Sequence, residues 1–110
     1  MKARYVQRGE SIDFTPTADV AAGDIIKVGS LVGVAKLDIK AGELGALALC
    51  GVYEIATNGS AIAAGSLVHV DPATGKVCAE GAAGAVAFGF AVAAAAATDT
   101  LVHVRLEQGL

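Results

Sequence analysis

The chain contains no tryptophan, and only 5% of its 110 residues are aromatic, so it is poor in the side chains that usually line ligand pockets. Charged residues are also scarce, at 17%, whereas hydrophobic residues make up 55%. A typical soluble domain has about a quarter of its residues charged. Because a short chain buries only part of its apolar surface by itself, this composition predicts contacts with other copies or other proteins.

The two cysteines, Cys50 and Cys78, lack CxxC spacing and lie in apolar runs, which indicates buried, reduced thiols. The longest uncharged stretch, residues 81–98, is mostly alanine, and we exclude a transmembrane segment and a membrane partner. The basic residues near the N-terminus precede no apolar segment, so we predict no secretory signal and expect synthesis in a cytoplasm.

Charge is distributed unevenly along the chain. The chain has 11 acidic and 8 basic residues, yet its first eight residues include three bases and no acid. We predict an N-terminal arm at residues 1–10, which is either a solvated terminus or a docking segment, and a single β domain at residues 11–110. Three basic side chains beside an acidic body are too few for a nucleic-acid partner. The residues assigned to partner binding are Lys2, Arg4, Tyr5, Val6 and Arg8.

A short apolar pattern recurs at residues 25–28, 67–70 and 101–104 and predicts three strands. Side chains alternate across a strand, so one set of residues is expected to face a core: Ile26, Val28, Val68, Val70, Val102, Val104 and Leu106. The first two copies share an Ala-Ala-Gly lead-in at an offset of 42 residues, which indicates a repeated strand and turn unit.

Glycine-containing turns separate further strands at the spacing of an all-β domain. Residues 71–76 predict a hairpin, with Pro72 in a type I turn and Gly75 in the left-handed position. Residues 93–97 allow one short helical turn at most. We predict a compact antiparallel barrel or sandwich. The hairpin is flanked by expected strands at residues 66–71 and 76–80, and the third copy of the pattern falls in an expected strand at residues 100–107. The other expected strands are residues 4–7, 11–15, 31–37, 45–55 and 85–92.

Candidate catalytic groups do not form a coherent site. Ser66 and His69 lie an odd number of residues apart on one strand, so with Asp71 they cannot form a hydrolytic triad. Gly75–Lys76 lacks the other residues of a phosphate loop. His69 and His103 would meet as metal ligands only on neighbouring strands, and no further ligand completes a site. We predict no catalytic, cofactor-binding or metal-binding residue.

The polar face of the recurring strands has two possible roles. It either covers an internal second layer or forms a contact between subunits. We assign the second role, an oligomer interface, to Leu67, His69, Leu101 and His103.

Seven segments, in this order, carry a family resemblance: Tyr5–Glu10, Gly23–Ala35, Gly51–Glu54, Ala61–Gly65, Val68–Asp71, Ala95–Asp99 and Val102–Leu106. The chain resembles small tailed-phage and prophage proteins, once grouped as a domain of unknown function, of which some are described as capsid cement or head decoration proteins. The resemblance covers nearly the whole chain, and it implies a β-barrel or β-clip-like body with a free N-terminal arm.

The resemblance also implies a function. A homotrimer would sit on the outer face of an icosahedral head, bind the major capsid protein and tie neighbouring shell subunits together. The family offers no catalytic motif or cofactor. Two alternatives remain open at this point: a head–tail completion or tail component, and an enzyme such as a hydrolase.

Overall fold

The computed structural model describes residues 2–110, which form nine β-strands and no helix. The strands are β1 (Ser11–Phe14), β2 (Ile25–Val28), β3 (Leu31–Ala35), β4 (Gly45–Ala48), β5 (Val52–Ala56), β6 (Leu67–Asp71), β7 (Lys76–Cys78), β8 (Val86–Ala91) and β9 (Leu101–Leu106). The first four make an open sheet in the order β1-β4-β3-β2, and the other five close into a barrel in the order β5-β7-β6-β8-β9.

The all-β prediction is confirmed. Every strand pair is antiparallel except β5 with β7, which meet at one parallel pairing of Ala56 with Lys76. Over residues 2–110, no helix is long and apolar enough to cross a membrane.

Two of the predicted strands are wrong. Residues 4–7 form no strand, because no neighbouring strand pairs with them. Residues 45–55 hold two strands, β4 and β5, and the chain turns between them where Gly51 takes a φ of 116°, a region that favours glycine. Residue 1 of the predicted arm lies outside the described residues.

The barrel core contains the expected valines of β6 and β9 and is centred on Phe88. The Phe88 ring packs edge-on against Tyr53, with 6.2 Å between ring centroids. The prediction for β2 holds for Ile26 alone, since Val28 is exposed and Ile25, which was not expected to face a core, is buried against the barrel core. Ile26 points instead to a second, smaller core on the other face of the open sheet.

The open sheet repeats the topology of four barrel strands. The order β1-β4-β3-β2 of the first unit corresponds to β5-β9-β8-β6 of the second. The main-chain turns before β2 and β6 also match, since the Gly23 N–H donates to the Ala35 carbonyl at 2.6 Å and the Gly65 N–H donates to the Ala91 carbonyl at 2.7 Å. An isolated bridge accompanies each unit: Val20 with Ile39, and Ile62 with Ala95. The predicted repeat is therefore a whole four-stranded unit.

The units differ in one connection. Gly29 and Ser30 join β2 to β3 in the first unit, whereas residues 72–85, including β7, join β6 to β8 in the second. Because β7 pairs with both β6 and β5, this longer connection closes the barrel. The predicted hairpin is confirmed, with Gly75 at a φ of 70° and its N–H donating to the Asp71 carbonyl at 2.7 Å.

Gln108 links the barrel to the open sheet after β9 ends. Its side-chain oxygen accepts from the Val32 N–H at 2.9 Å, and its amide group donates to the Val32 carbonyl at 2.6 Å and to the Leu49 carbonyl at 3.1 Å. Val32 lies just beyond the point where β3 stops pairing with β4. The Gln108 amide therefore takes the place of a strand at that position.

Candidate functional site

The N-terminal arm is the first of two exposed surfaces. Residues 2–10 are exposed throughout and belong to no strand. Tyr5 is 77% exposed and Val6 is 83% exposed, so both apolar side chains are available for contact. Among residues 2–110, no ion pair involves Lys2 or Arg4. The five residues assigned to partner binding thus lie on one continuous, solvent-exposed segment.

The arm is attached to the body at its C-terminal end. The Leu49 N–H donates to the Glu10 carbonyl at 2.8 Å, immediately before β1 begins. Arg8 pairs with Glu10 at 2.9 Å, but both side chains are largely exposed, so the pair adds little stability. No main-chain hydrogen bond joins residues 2–9 to the rest of the described chain.

The second surface is the outward side of the barrel strands β6, β8, β9 and β5. Leu67 lies opposite Phe90, Phe90 opposite Arg105, and Arg105 opposite Val52, so these four side chains form one row across the sheet. The neighbouring row contains Val92, His103 and Glu54. We call this surface the outer barrel face, and its members are Val52, Glu54, Leu67, Phe90, Val92, Leu101, His103 and Arg105.

The predicted oligomer interface falls on this side of the barrel but does not form one cluster. Leu67 and His69 lie on β6, whereas Leu101 and His103 lie on β9, and β8 separates the two strands. Leu67, Leu101 and His103 belong to the outer barrel face. His69 points outward too, but it lies beyond a bulge that shifts the β6–β8 register, and it pairs with Ala87.

Sequence reasoning missed the residues that join these positions into a surface. Phe90 on β8, Val92 immediately after β8 and Val52 on β5 are exposed and complete the rows. Residues 85–92 were predicted as a strand, but Phe88, Gly89 and Phe90 do not show simple alternation, since Phe88 and Gly89 are both buried. The alternation of β9 did give a usable signal, because its burial pattern is strictly exposed then buried.

Two polar pairs lie on or beside this face. His103 Nε2 lies 3.1 Å from Glu54 Oε1, and Arg105 Nη1 lies 3.1 Å from Glu107 Oε1. All four residues come from β5, β9 or the position just after β9. The face therefore carries both signs of charge within an apolar surround.

Burial changes the titration of two side chains near the barrel. It raises the pKa of Tyr53, and the nearby Cys50 thiol adds to that rise; the Tyr53 hydroxyl donates to the Cys50 carbonyl at 2.8 Å. Burial also raises the pKa of Cys78, with a further contribution from Asp71. The prediction that both thiols are buried is wrong for Cys50, which lies exposed in the turn between β4 and β5.

The residues weighed for catalysis lie in other arrangements. The Ser66 hydroxyl donates to the Ala63 carbonyl, and Asp71 accepts from the Ala73 N–H at 3.0 Å, so both stabilise turns. His69 and His103 are not on neighbouring strands, which removes the one metal pairing that the sequence left open. Within residues 2–110, no group of three or more His, Cys, Asp or Glu side chains is placed to hold a metal.

A groove on the first unit is the best candidate for a small-molecule site. It encloses about 310 Å³ between the β1–β4 edge and the segment around Leu37 and Leu44. None of its described lining residues is aromatic. Small-molecule pockets usually combine aromatic walls with a few converging polar groups, so the groove is a weaker site than either exposed surface.

These elements define a small all-β structural module with two exposed surfaces suited to protein contacts. A family model described as phage cement protein matches residues 6–106. The chain belongs to the phage cement protein family, and the resemblance stated from the sequence is confirmed. No curated protein and no solved structure matched the chain. Membership gives the protein a structural role associated with the phage capsid.

Proposed function

We propose that this cement protein decorates the outer surface of an icosahedral phage head and stabilises it by tying neighbouring shell subunits together. The observation that carries the proposal is the family match over residues 6–106, which spans all nine strands of the described chain. The protein is made in the bacterial host cytoplasm and acts in the virion without catalysis or a cofactor.

The arm is proposed to bind the major capsid protein. Its main-chain groups are available to add a strand to an exposed sheet edge, where hydrogen bonds supply affinity and side chains supply selectivity. Arg4 and Arg8 would meet acidic groups of the shell, while Tyr5 and Val6 would cover apolar surface. Lys2 extends the basic segment at its outer end.

Self-association into a homotrimer is the second part of the proposal, with Leu67, His69, Leu101 and His103 as the assigned interface residues. A trimer presents three arms to the shell. Once one arm is bound, the others bind at a high effective concentration, so modest single-arm affinity becomes strong attachment. Neither contact requires nucleic acid or membrane.

The copy number of this protein relative to the major capsid protein tests the proposed role. Quantitative mass spectrometry of purified heads is expected to give a ratio near one to one. A handful of copies per particle would move the protein to the neck or tail, as a head–tail completion or tail component. Absence from the particle would overturn the structural role on the head.

Reversal of charge in the arm tests its contact with the shell. We expect the Arg4→Glu/Arg8→Glu double variant to bind undecorated heads about tenfold more weakly, or about 1.4 kcal/mol, with reduced salt sensitivity. Lys36→Glu/Lys40→Glu, which reverses two exposed charges on the body, is the matched control and should bind normally. Deletion of residues 2–8 should abolish binding; full binding by the deletion variant would refute the role of the arm.

A further inference from the structure

The outer barrel face has a counterpart within the same chain. In the first unit, Ile25 lies opposite Val34, and in the second unit Leu67 lies opposite Phe90 at the equivalent place. Ile25 and Val34 are only 8% and 6% exposed, because the barrel covers them, whereas Leu67 and Phe90 are 44% and 39% exposed. The same face of one structural unit is thus packed in one copy of the unit and bare in the other.

The bare face gathers much of the exposed apolar surface. Of the twelve large hydrophobic side chains exposed in residues 2–110, five lie on it: Val52, Leu67, Phe90, Val92 and Leu101. The other seven are divided among the arm, the β2–β3 hairpin, two loops and the C-terminal residue. Concentration of apolar side chains on one face marks an interaction surface rather than scattered exposure.

The distribution of charge indicates that the outer barrel face and the arm bind different partners. The arm is basic apart from Glu10, so it suits a partner of opposite charge. On the outer barrel face, by contrast, Glu54 contacts His103, and Arg105 forms an ion pair with Glu107. A face that carries both signs can meet the same face of other copies around a symmetry axis without the repulsion that a face of one sign would produce.

We propose that the outer barrel face binds a second copy of this chain and that Phe90 lies close to the symmetry axis of the proposed trimer, facing the Phe90 of its neighbours. The inference rests on the proposed self-association, and it places the middle of the contact between copies at residues other than those predicted from the sequence. Phe90, Arg105 and Val92 form the middle of the contact, and His69 lies outside it.

Two opposite substitutions at Phe90 test this placement. Phe90→Glu and Phe90→Lys each bring like charges together at the axis. Each variant alone should therefore have the mass of one chain, whereas the unchanged protein should have the mass of three chains. The mass is measured by size-exclusion chromatography with light scattering. An equimolar mixture should regain the mass of three chains, because each mixed trimer brings together two pairs of opposite charges and only one pair of like charges. Leu37→Glu, a substitution at an exposed leucine of the first unit, should leave the mass unchanged.

Far-UV circular dichroism and thermal unfolding confirm that each variant is folded, and Val52→Glu at the other end of the row replaces any variant that is not. Unchanged mass for the Phe90 variants, a mixture that stays monomeric, or an unchanged protein that is monomeric at every concentration would each overturn the inference. Copy number on heads is measured separately. If the unchanged protein decorates heads at a ratio near one to one but its Phe90 variants still form trimers, the inference is refuted and the proposed function stands.

Discussion

Replacement of Gly89 by alanine provides a sharp test of the barrel geometry. Gly89 pairs with Val68 on one side and Leu106 on the other, so it lies between β6 and β9. A Cβ atom at position 89 would overlap the carbonyl oxygen of Arg105 and lie 2.7 Å from its carbonyl carbon. Both obstacles are main-chain atoms of β9, and no side-chain rotation relieves the overlap.

The size of the effect follows from the distances. Carbon atoms in contact are ordinarily about 3.5–4.0 Å apart, so β8 and β9 would have to separate by about 1 Å. Such a separation breaks strand pairing next to the fully buried core around Phe88. We expect a loss of more than about 4 kcal/mol, which is a large part of the total stability of about 5–15 kcal/mol for a domain.

Gly33, the equivalent residue of the first unit, is the matched control. A Cβ atom there would meet the Leu47 Cβ at 2.8 Å and the Ala48 carbonyl oxygen only at 3.4 Å. The Leu47 Cβ moves only with its main chain, but the required shift is smaller than at Gly89, so Gly33→Ala should cost less, about 1–3 kcal/mol.

Urea unfolding followed by far-UV circular dichroism suits a chain without tryptophan. A loss of about 4 kcal/mol lowers the midpoint by about 2 M at a slope of about 2 kcal/mol per M. If Gly89→Ala cost no more than Gly33→Ala, the close approach of β8 and β9 would be wrong.

Two further substitutions test the contacts around the barrel. Gln108→Ala removes three hydrogen bonds to Val32 and Leu49 and should cost about 1–3 kcal/mol in urea unfolding, and Gln108→Glu should not restore this loss at neutral pH because a carboxylate cannot donate to the two carbonyls. Tyr53 has its pKa raised by burial and then by Cys50, so the folded state holds the phenol proton more tightly than the unfolded state does. The stability that this provides is complete below the ordinary pKa of about 10 and is lost as pH rises through the folded value; Tyr53→Phe should flatten this alkaline decline, and equal slopes for both proteins would contradict the assignment.

Most strands were predictable because their signals are local. Alternating apolar residues and glycine turns place β6 and β9 within a residue of their observed bounds. Local signals did not decide which face of β2 is packed, because Ile25 and Ile26 are the same residue type and both faces of the open sheet are covered. Closure of the barrel rests on one pairing of Ala56 with Lys76, which joins distant segments and leaves no pattern in either.

The candidate surfaces were predictable to different degrees. A basic, acid-free segment is visible in the sequence, and the structure places all five assigned arm residues in solvent, although their partner stays a prediction. The interface residues on β6 and β9 were chosen because their sequences are alike, whereas spatial neighbours depend on strand order. Because β8 lies between them, Phe90 and Val92 are the residues that connect Leu67 to His103.

The longer connection in the second unit also bears on how this chain tolerates changes in length. The first unit holds the same four-strand order with only Gly29 and Ser30 at that place, so the strands do not depend on a long connection. Residues 79–84, between β7 and β8, are all exposed, and doubling a flexible loop costs only about 0.6 kcal/mol in closure entropy. Inserted peptides would therefore extend away from both cores at this loop, which makes it the natural position for carrying a foreign sequence on the protein.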